Sequence, residues 1–581
     1  MRWYLRRLWG LLSNGDGIEE PSVLEPTIGS MPQPEMIQRL EALSPQITEI
    51  LRLSGTAGAS VGVLHMDEVV YTANYGYRDI EAKIPPNEDT LYYIASLSKF
   101  MTAAGLGTLV EAGELEWEDQ VSKALPDFQH CNQDIRNRLT IVDILSHRTG
   151  LAQKMFAWMG EHSRPQVIGA DFTKTTTYLE PKFEIGLTFI SNNWFYGIAA
   201  QIIERFSKKS FSDYIESTFF AALKMHRTRV HSSPDDMDNF AEAYMYNGET
   251  PHHVHKPPIE AGATMEGAVG VKSSVHDLLI YYREFLRARK DQFARDSTST
   301  PKSPFKQVQE LLRPQIVMDG LPSAFDETTY SLGWAQAKLP SALGALGGNV
   351  DVVKEMPRIG DGLQDKHTVL YHAGSLVGYL SSIILLPDTN SAIIVLANTL
   401  PNQDSPDWIG QALLEALLDV PHVSDFVSLA KEAAATDETF FPKMHNQLLE
   451  ERIQGTSVRH TESYVGRFEN QVGTFILDIY LSDGELCLSL NGYRPEKHKL
   501  SHYHYDTFSF EMTYEDCLRR EMWPKTFKPY YLLEFGTDTH GNVTCITWRP
   551  DWAVAEGEIF TRRRHPQSIN GEGRQRDKVE L

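Results

Sequence analysis

The chain has 581 residues, of which 41% are hydrophobic and 23% charged, a composition typical of a globular protein with more than one domain. Its 55 lysine and arginine residues face 77 aspartate and glutamate residues, and the net charge of -22 disfavours nucleic acid and anionic membranes as partners. The four cysteines lack metal-ligand spacing, so we expect reduced thiols, a cytoplasmic location and no metal site.

The N-terminal segment, residues 1–35, is expected to be a tail. Its opening stretch MRWYLRRLWGLL has the positive charges of a secretory signal, but Arg6 and Arg7 interrupt the apolar run. No part of the chain approaches the roughly 18 consecutive apolar residues of a membrane helix. We therefore expect neither secretion nor a membrane span.

Residues 36–420 alternate helical and strand patterns. After an amphipathic helical segment, GASVGVLHMDEVVYTANYGYRD predicts a hairpin that turns at Met66-Asp67-Glu68. A long apolar helix then opens near Ser96, and LSSIILLPDTNSAIIVLANTL predicts a second hairpin. Helices between antiparallel hairpins favour an α+β domain, an antiparallel sheet flanked by helices.

Two further helices are predicted to start with a capping box, in which a serine or threonine side chain and an acidic side chain three residues later bond to each other's backbone N–H. The pairs are Thr140 with Asp143 and Ser274 with Asp277.

The C-terminal part has a different pattern. Residues 421–460 are polar and are expected to be a linker, whereas residues 461–565 are nearly all strand, with a hairpin turn at Asp483-Gly484. These strands predict a small all-β, barrel-like domain. Residues 566–581 are expected to be a disordered tail.

A possible catalytic pair lies in the segment ASLSKFMTA, where Ser96 and Lys99 are three residues apart. This spacing places both side chains on one helix face, and a buried lysine with a lowered pKa can remove the proton of a serine nucleophile. The same spacing recurs at Ser299/Lys302, Ser303/Lys306 and Ser428/Lys431. Only Ser96 follows a predicted hairpin and begins a long apolar helix, so it is the preferred candidate.

Two further motifs follow in order: Ser191 and Asn193 in FISNNWFYG, then His372 and Gly374 in LYHAGSLVG. Ser-x-x-Lys, Ser- or Tyr-x-Asn and Lys- or His-x-Gly form the signature of serine β-lactamases and penicillin-binding proteins. Over residues 55–405 the chain resembles the class C β-lactamase-like family of serine hydrolases, transesterases and D-aminopeptidases. The segments that carry the resemblance include LVEAGELEWEDQVSKALPDF, DILSHRTGL, AVGVKSSVHDLL and YSLGWA. Residues 461–560 are similar, more loosely, to the β-rich C-terminal domain of some relatives.

The resemblance implies a role for each matching residue. Ser96 would be the acylated nucleophile, with Lys99 as its proton acceptor or electrostatic support. His372 would stand where many relatives have lysine, and Asn193 would bind the acyl side of the substrate or the lysine. Backbone N–H groups of Ser96 and Ser375, beside Gly374, would form the oxyanion hole.

One position departs from the family pattern. Relatives usually have tyrosine two residues before the asparagine, where this chain has Ser191. A serine can relay a proton but cannot act as a phenolate base, so Lys99 would carry more of the proton transfer.

Two competing sites are less well supported. Ser60 in GASVG matches the Gly-x-Ser-x-Gly motif of α/β-hydrolases, but that motif needs a strand-to-helix turn, and Ser60 begins a predicted strand. His502 and His504 are two residues apart on a predicted strand, a spacing that metal ligands can have. No carboxylate or cysteine partner has suitable spacing.

The sequence therefore predicts a serine hydrolase that cleaves an ester, thioester or amide through an acyl-enzyme on Ser96, without metal or organic cofactor. A bulky specialised metabolite fits as substrate at least as well as a β-lactam, because the insert between Gly333 and His367 could form a pocket wall. An acyltransferase using the same intermediate and a catalytically degenerate binding protein remain the alternatives. We expect the C-terminal domain to shape or support the site without supplying nucleophile or base. The oligomeric state is left open.

Overall fold

The computed structural model describes residues 34–231, 238–259, 262–320, 322–325, 327–524 and 527–563. The two tails predicted from the sequence lie almost wholly outside these ranges. Seventeen α-helices are described: α1 (Pro34–Ala42), α2 (Ser44–Ser54), α3 (Ser98–Glu111), α4 (Val121–Ala124), α5 (Gln133–Arg138), α6 (Ile141–Leu145), α7 (Ala170–Thr176), α8 (Asn193–Ser207), α9 (Phe211–Ile215), α10 (Ala221–Leu223), α11 (Glu266–Val269), α12 (Val275–Arg295), α13 (Val308–Leu311), α14 (Ser405–Leu418), α15 (Phe426–Asp437), α16 (Phe440–Glu451) and α17 (Tyr514–Arg519).

The described strands number twenty-four. They are β1 (Gly58–His65), β2 (Glu68–Gly76), β3 (Tyr92–Tyr93), β4 (Ala243–Tyr246), β5 (Pro251–Val254), β6 (Lys272–Ser273), β7 (Ile316–Val317), β8 (Thr329–Tyr330), β9 (Ala335–Lys338), β10 (Ser341–Ala342), β11 (Arg358–Ile359), β12 (Thr368–Leu376), β13 (Tyr379–Leu386), β14 (Ser391–Ala397), β15 (Thr399–Leu400), β16 (Gly466–Glu469), β17 (Ile476–Ser482), β18 (Glu485–Leu490), β19 (His498–Lys499), β20 (Ser501–His504), β21 (Thr507–Ser509), β22 (Leu532–Thr537), β23 (Val543–Trp548) and β24 (Glu558–Arg562).

The main sheet has eight strands in the order β2-β1-β14-β13-β12-β9-β8-β7, and all of its neighbouring pairs are antiparallel. Both predicted hairpins lie in it, as β1–β2 and β13–β14. Their turns place Met66, Asp67 and Asn390 in the left-handed region, with φ of 49°, 68° and 47°. Helix α12 packs on β1 and β14, and α14 packs on β13 and β14. The predicted α+β architecture, a sheet flanked by helices, is confirmed.

Of the two predicted capping boxes, one is complete. The Thr140 side chain and the Asp143 carboxylate bond to each other's backbone N–H at the start of α6. At α12 the Ser274 hydroxyl accepts from the Asp277 N–H, but the Asp277 carboxylate accepts from the backbone N–H groups of Arg227 and Thr228 instead. The second capping box is therefore only half formed, because a neighbouring loop supplies better-placed donors.

Residues 421–460, the predicted linker, contain helices α15 and α16. Helix α15 packs on α2, and its residues Phe426 and Ala430 are buried against α14 in the same core as Trp408. The segment thus contributes to the packed core of the protein. The domain boundaries themselves stay a prediction.

The C-terminal strands form one antiparallel sheet in the order β19-β18-β17-β16-β24-β23-β22-β21-β20. Its two outermost strands, β19 and β20, are consecutive along the chain and separated only by Leu500. The sheet consequently curls round into an almost closed barrel, as the sequence predicted. Its hairpin β17–β18 turns at Asp483 and Gly484, which have φ of 54° and 80°.

Candidate active site

Ser96 lies in a 3₁₀ turn, Ala95–Leu97, that runs directly into α3. Ala95, the preceding residue, has a φ of 47°, in the left-handed region that alanine rarely occupies. Such strain is typical of backbone held by its surroundings for a functional reason. The turn packs against strand β12, which places the backbone of Ser96 beside that strand.

The Nζ atom of Lys99 lies 2.7 Å from the Oγ atom of Ser96. Lys99 is 2% exposed, and burial lowers the pKa of its ammonium group to about 7. Among the described residues Lys99 forms no ion pair, so no negative charge opposes this shift. The buried Lys154 behaves in the opposite way: although burial lowers its pKa, Glu558 and Glu180 raise it above the ordinary value. Lys99 is therefore available as a neutral base near pH 7, and Lys154 is not.

His372 is a buried, neutral neighbour of Lys99. Burial and then the charge of Lys99 lower its pKa to about 3. Its Nδ1 lies 2.7 Å from the carbonyl oxygen of Ala373, which can only accept, so Nδ1 carries the proton. The other nitrogen, Nε2, accepts from the hydroxyl of Tyr330 at 3.1 Å. His372 is thus fixed in one orientation and one tautomer.

Gly374 brings strand β12 against the nucleophile. A Cβ atom at this position would lie 2.4 Å from the carbonyl oxygen of Ile94, 2.3 Å from Ser381 Oγ and 3.1 Å from the backbone nitrogen of Ser96. Only glycine permits this approach. The backbone of β12 is thereby held beside Ser96, and an oxyanion hole built from the N–H groups of Ser96 and Ser375 stays a prediction.

Asn193 begins helix α8, and its neighbour Asn192 caps that helix by accepting from the Trp194 N–H. The Nδ2 atom of Asn193 faces the sulfur of Met155 at 3.9 Å, and its Oδ1 atom is buried. That Oδ1 atom accepts no hydrogen bond within the described ranges. A buried amide oxygen without a protein partner is suited to receive a substrate N–H.

Ser191 is half-buried immediately before that cap. In the part of the chain that the structure describes, its hydroxyl bonds to neither Ser96 nor Lys99. The geometry therefore brings Ser96, Lys99, Gly374 and His372 together, while Ser191 stands apart from the proton-transfer pair.

Three buried rings around Lys99 escaped the sequence-based selection. Lys99 Nζ lies 5.6 Å from the ring centroid of Tyr196, and the His147 ring packs 5.3 Å from Tyr196 and 5.2 Å from Tyr330. His147 Nδ1 accepts the backbone N–H of Asn192, and burial keeps its pKa well below the ordinary value. These neutral rings exclude water from the lysine. His147 lies in the segment SHRTGL, Tyr196 in NWFYG and Tyr330 in YSLGWA. These segments were the sequence signal that could have identified the three rings.

The competing sequence sites do not form catalytic arrangements. Ser60 lies within strand β1, where its hydroxyl bonds to Asn74, so it is not on a strand-to-helix turn. His502 bonds to the carbonyl oxygen of Tyr505, while Ser428 is exposed and bonds to Asp425, the cap of α15.

A cavity of about 450 Å³ lies beside the C-terminal half of β12. Ala373 and Ser375 of β12 form one wall. The insert between Gly333 and His367 supplies a second wall, and helix α16 and the C-terminal domain supply aromatic rings. The insert contributes Leu346, Gly348, Asp351 and Val352 to the lining, α16 contributes Phe440, and the C-terminal domain contributes Tyr514 and Trp523.

The C-terminal domain also holds the loop that carries Met155. The Phe156 ring packs 5.1 Å from Phe475 and 4.8 Å from Trp548, and the Lys154 N–H donates to Asp551. The loop wall beside Asn193 therefore depends on contacts from the barrel.

Two regions of the chain match known protein families. The sequence profile described as Beta-lactamase matches residues 46–417, and one described as a domain of unknown function (DUF3471) matches residues 451–563. A penicillin-binding protein of Bacillus subtilis is 25% identical over 65% of this chain and 74% of its own. An unguisins hydrolase of Aspergillus campestris is 25% identical over 62% of this chain and 61% of its own. The Flp protein of Staphylococcus aureus is 25% identical over 59% of each chain.

The chain thus spans about 60% of the length of two of these relatives. Among solved structures, the octameric penicillin-binding protein homologue from Pyrococcus abyssi matches with a TM-score of 0.51 and 18% identity, over 90% of this chain and all of its own. The fold is consequently that of β-lactamases and penicillin-binding proteins, followed by an almost closed β-barrel. No described helix is long and apolar enough to cross a membrane. Because the family profile covers well over half of the sequence, this protein belongs to the β-lactamase family.

Proposed function

We propose that this protein is a serine hydrolase that cleaves a bulky ester or amide through an acyl-enzyme on Ser96. The observation that carries the proposal is the buried Lys99, 2.7 Å from Ser96 Oγ and without an acidic partner in the described chain. One relative is named as an unguisins hydrolase, which supports hydrolysis as the reaction class.

In the first step, the neutral amine of Lys99 accepts the Ser96 proton while Oγ adds to the substrate carbonyl carbon. The N–H groups of Ser96 and Ser375 stabilise the resulting oxyanion. Collapse of this intermediate breaks the bond to the leaving group, which takes the proton from Lys99. Water then attacks the acyl-enzyme with Lys99 again as the base, which releases the acid and restores Ser96.

The cavity beside Ser375 indicates the kind of substrate. Its volume of about 450 Å³ suits a drug-sized molecule. Its lining contains Asp351, Asp404 and Asp437 and, among the described residues, no lysine, arginine or histidine. A substrate carboxylate, such as that of a penicillin, would find no cationic partner there. We therefore propose an uncharged ester or amide as substrate, and we propose a cytoplasmic location.

Intact-mass measurement tests the proposal. The protein is incubated with a fluorophosphonate and with panels of esters, thioesters, amides and penicillins, each with and without added amines or alcohols. We expect one adduct on Ser96, absent in Ser96→Ala, and release of free acid from a neutral ester. Adducts that survive Ser96→Ala would refute the nucleophile. Exclusive transfer of the acyl group to an added amine or alcohol would favour acyl transfer over hydrolysis.

A further inference from the structure

Three side chains from separate segments meet on the side of the molecule where the two domains touch. His162 belongs to the loop after Met155, His255 follows strand β5, and Glu521 follows α17 of the C-terminal domain. The His162 Nδ1 atom lies 3.0 Å from Glu521 Oε2, and the His255 Nδ1 atom lies 2.7 Å from Glu521 Oε1. All three potential ligand atoms lie within 4.8 Å of one another.

His162 and His255 both pair with Glu521, and of these two contacts the one to His255 has the geometry of a hydrogen bond. Glu521 is only 8% exposed, and its Oε2 atom, although 3.0 Å from His162 Nδ1, receives no hydrogen bond among the described residues. A buried carboxylate oxygen of this kind costs free energy unless something else binds it. His162 Nδ1 and Oε2 therefore form an ion pair without a well-aligned hydrogen bond, and a metal ion bound to both atoms would replace this contact.

The backbone at this place is also strained. His162, Ser163 and Glu521 have φ of 51°, 53° and 48°, in the left-handed region that side chains other than those of asparagine and aspartate seldom occupy. Two of the three potential ligands thus sit on backbone that their surroundings hold in a costly conformation.

We propose that His162, His255 and Glu521 bind Zn²⁺ at a site that joins the two domains. Two imidazoles and one carboxylate are a common ligand set for Zn²⁺, with a water molecule in the fourth position. Ligand atoms around a tetrahedral zinc are about 3.3 Å apart, so the two short contacts would open slightly on binding. Zinc would replace the proton that His255 Nδ1 donates to Glu521.

Such a site has a consequence for the catalytic domain. His162 lies on the loop whose Met155 faces Asn193, and the His162 backbone N–H donates to the Arg520 carbonyl oxygen of the barrel. A bound ion would fix this loop, the segment after β5 and the barrel against one another. Zinc occupancy would therefore stabilise the domain contact without entering the chemistry at Ser96.

The test compares the whole protein with variants after EDTA treatment and gel filtration. Zinc chloride is then titrated into the metal-free proteins by isothermal calorimetry. The zinc that each reloaded protein retains is counted by mass spectrometry, and melting is followed with and without zinc. His255→Gln and His162→Gln change exposed side chains and leave the buried Glu521 in place. The matched control is His253→Gln, an exposed histidine on the same hairpin that pairs with Glu242.

We expect the wild-type protein and His253→Gln to retain one equivalent of zinc and to melt at a higher temperature when it is bound. Each of the other two variants should bind zinc at least about 100-fold more weakly, since loss of a direct ligand exceeds the 10–100-fold effect of outer partners. Their melting should no longer respond to zinc. The proposal is overturned if the wild-type protein retains no zinc, or if His255→Gln and His162→Gln retain as much as the control.

Discussion

The Nζ atom of Lys99 faces the hydroxyl of Ser96 at 2.7 Å, one helical turn along the chain. The amine is buried, and no acidic side chain of the described residues pairs with it. A lysine in water is almost fully protonated at pH 7 and cannot accept a proton. Burial alone lowers the pKa of Lys99 to about 7, so a substantial share of the molecules holds a neutral amine at that pH.

Removal of this amine should abolish most acylation. We expect Lys99→Met to slow fluorophosphonate labelling of Ser96 by about 100-fold or more, the usual range for loss of a general base. Ser191→Ala should lose less, because among the described residues the Ser191 hydroxyl forms no hydrogen bond with Ser96 or Lys99. Labelling rates of the two purified variants, compared by intact mass, measure the difference. Equal losses would show that Ser191 is an obligatory part of the proton relay.

The rate of acylation should rise with pH through about 7. Only the neutral form of Lys99 accepts the Ser96 proton, and this form gains population as pH increases past its pKa of about 7. His372, with a pKa near 3, stays neutral throughout and should add no second inflection above pH 5. Single-turnover labelling between pH 5 and 10 checks this profile. An inflection near 10 would mean that burial does not lower the pKa of Lys99 and that its amine is charged at pH 7.

Gly374 should tolerate no side chain. In Gly374→Ala the new Cβ would press on the backbone carbonyl of Ile94, so β12 must move away from Ser96. Overpacking of this kind costs about 1–3 kcal/mol of folding stability. Displacement of the Ser375 N–H should also slow acylation. Gly348→Ala is the matched control, because Gly348 has a φ of -80° and no atom within 4 Å of its ideal Cβ. Similar labelling rates in both variants would contradict the proposed position of the oxyanion hole.

Gly348 also offers a way to test the cavity, because it lines the 450 Å³ space beside Ser375. Gly348→Phe should fill part of this space while leaving Ser96 and Lys99 untouched. We expect a higher KM for bulky esters and an unchanged labelling rate with a small fluorophosphonate. If turnover of small and bulky esters falls together, the cavity is not the substrate pocket and Gly348→Phe acts through the fold.

Much of the fold was predictable because its signals are local. Alternating β-branched residues and the turn residues Asp67, Asn390 and Asp483 specify three hairpins within a few residues each. The pair Ser96 and Lys99 was predictable for the same reason. By contrast, the Asp277 carboxylate found donors in a distant loop that no local pattern reveals.

The rest of the site depends on long-range packing. Tyr330 fixes His372 from another strand of the sheet, and His147 reaches the cap of α8 from a loop. The set His162, His255 and Glu521 joins three segments that lie far apart along the chain. Contacts of this kind follow from the tertiary fold, so spacing within the sequence could not reveal them.

The two buried lysines provide a final test, because they should affect folding stability in opposite directions. Lys99 is charged in the unfolded chain up to about pH 10.5 but neutral in the folded protein above about pH 7. Between these values the unfolded state binds more protons, so wild-type stability rises with pH and is lowest near and below pH 7. Lys99→Met removes this cost, and we expect its Tm to exceed that of the wild type by a few degrees at pH 7. The difference should shrink as pH approaches 10.

Lys154→Met should instead lose about 3–5 kcal/mol of folding stability at pH 7, because it leaves the carboxylate of Glu558 buried without its cation. Differential scanning calorimetry of the three proteins at pH 7 and 9.5 gives these values. A Lys99→Met protein that melts below the wild type at pH 7 would show that Lys99 has a stabilising partner and is not the desolvated base.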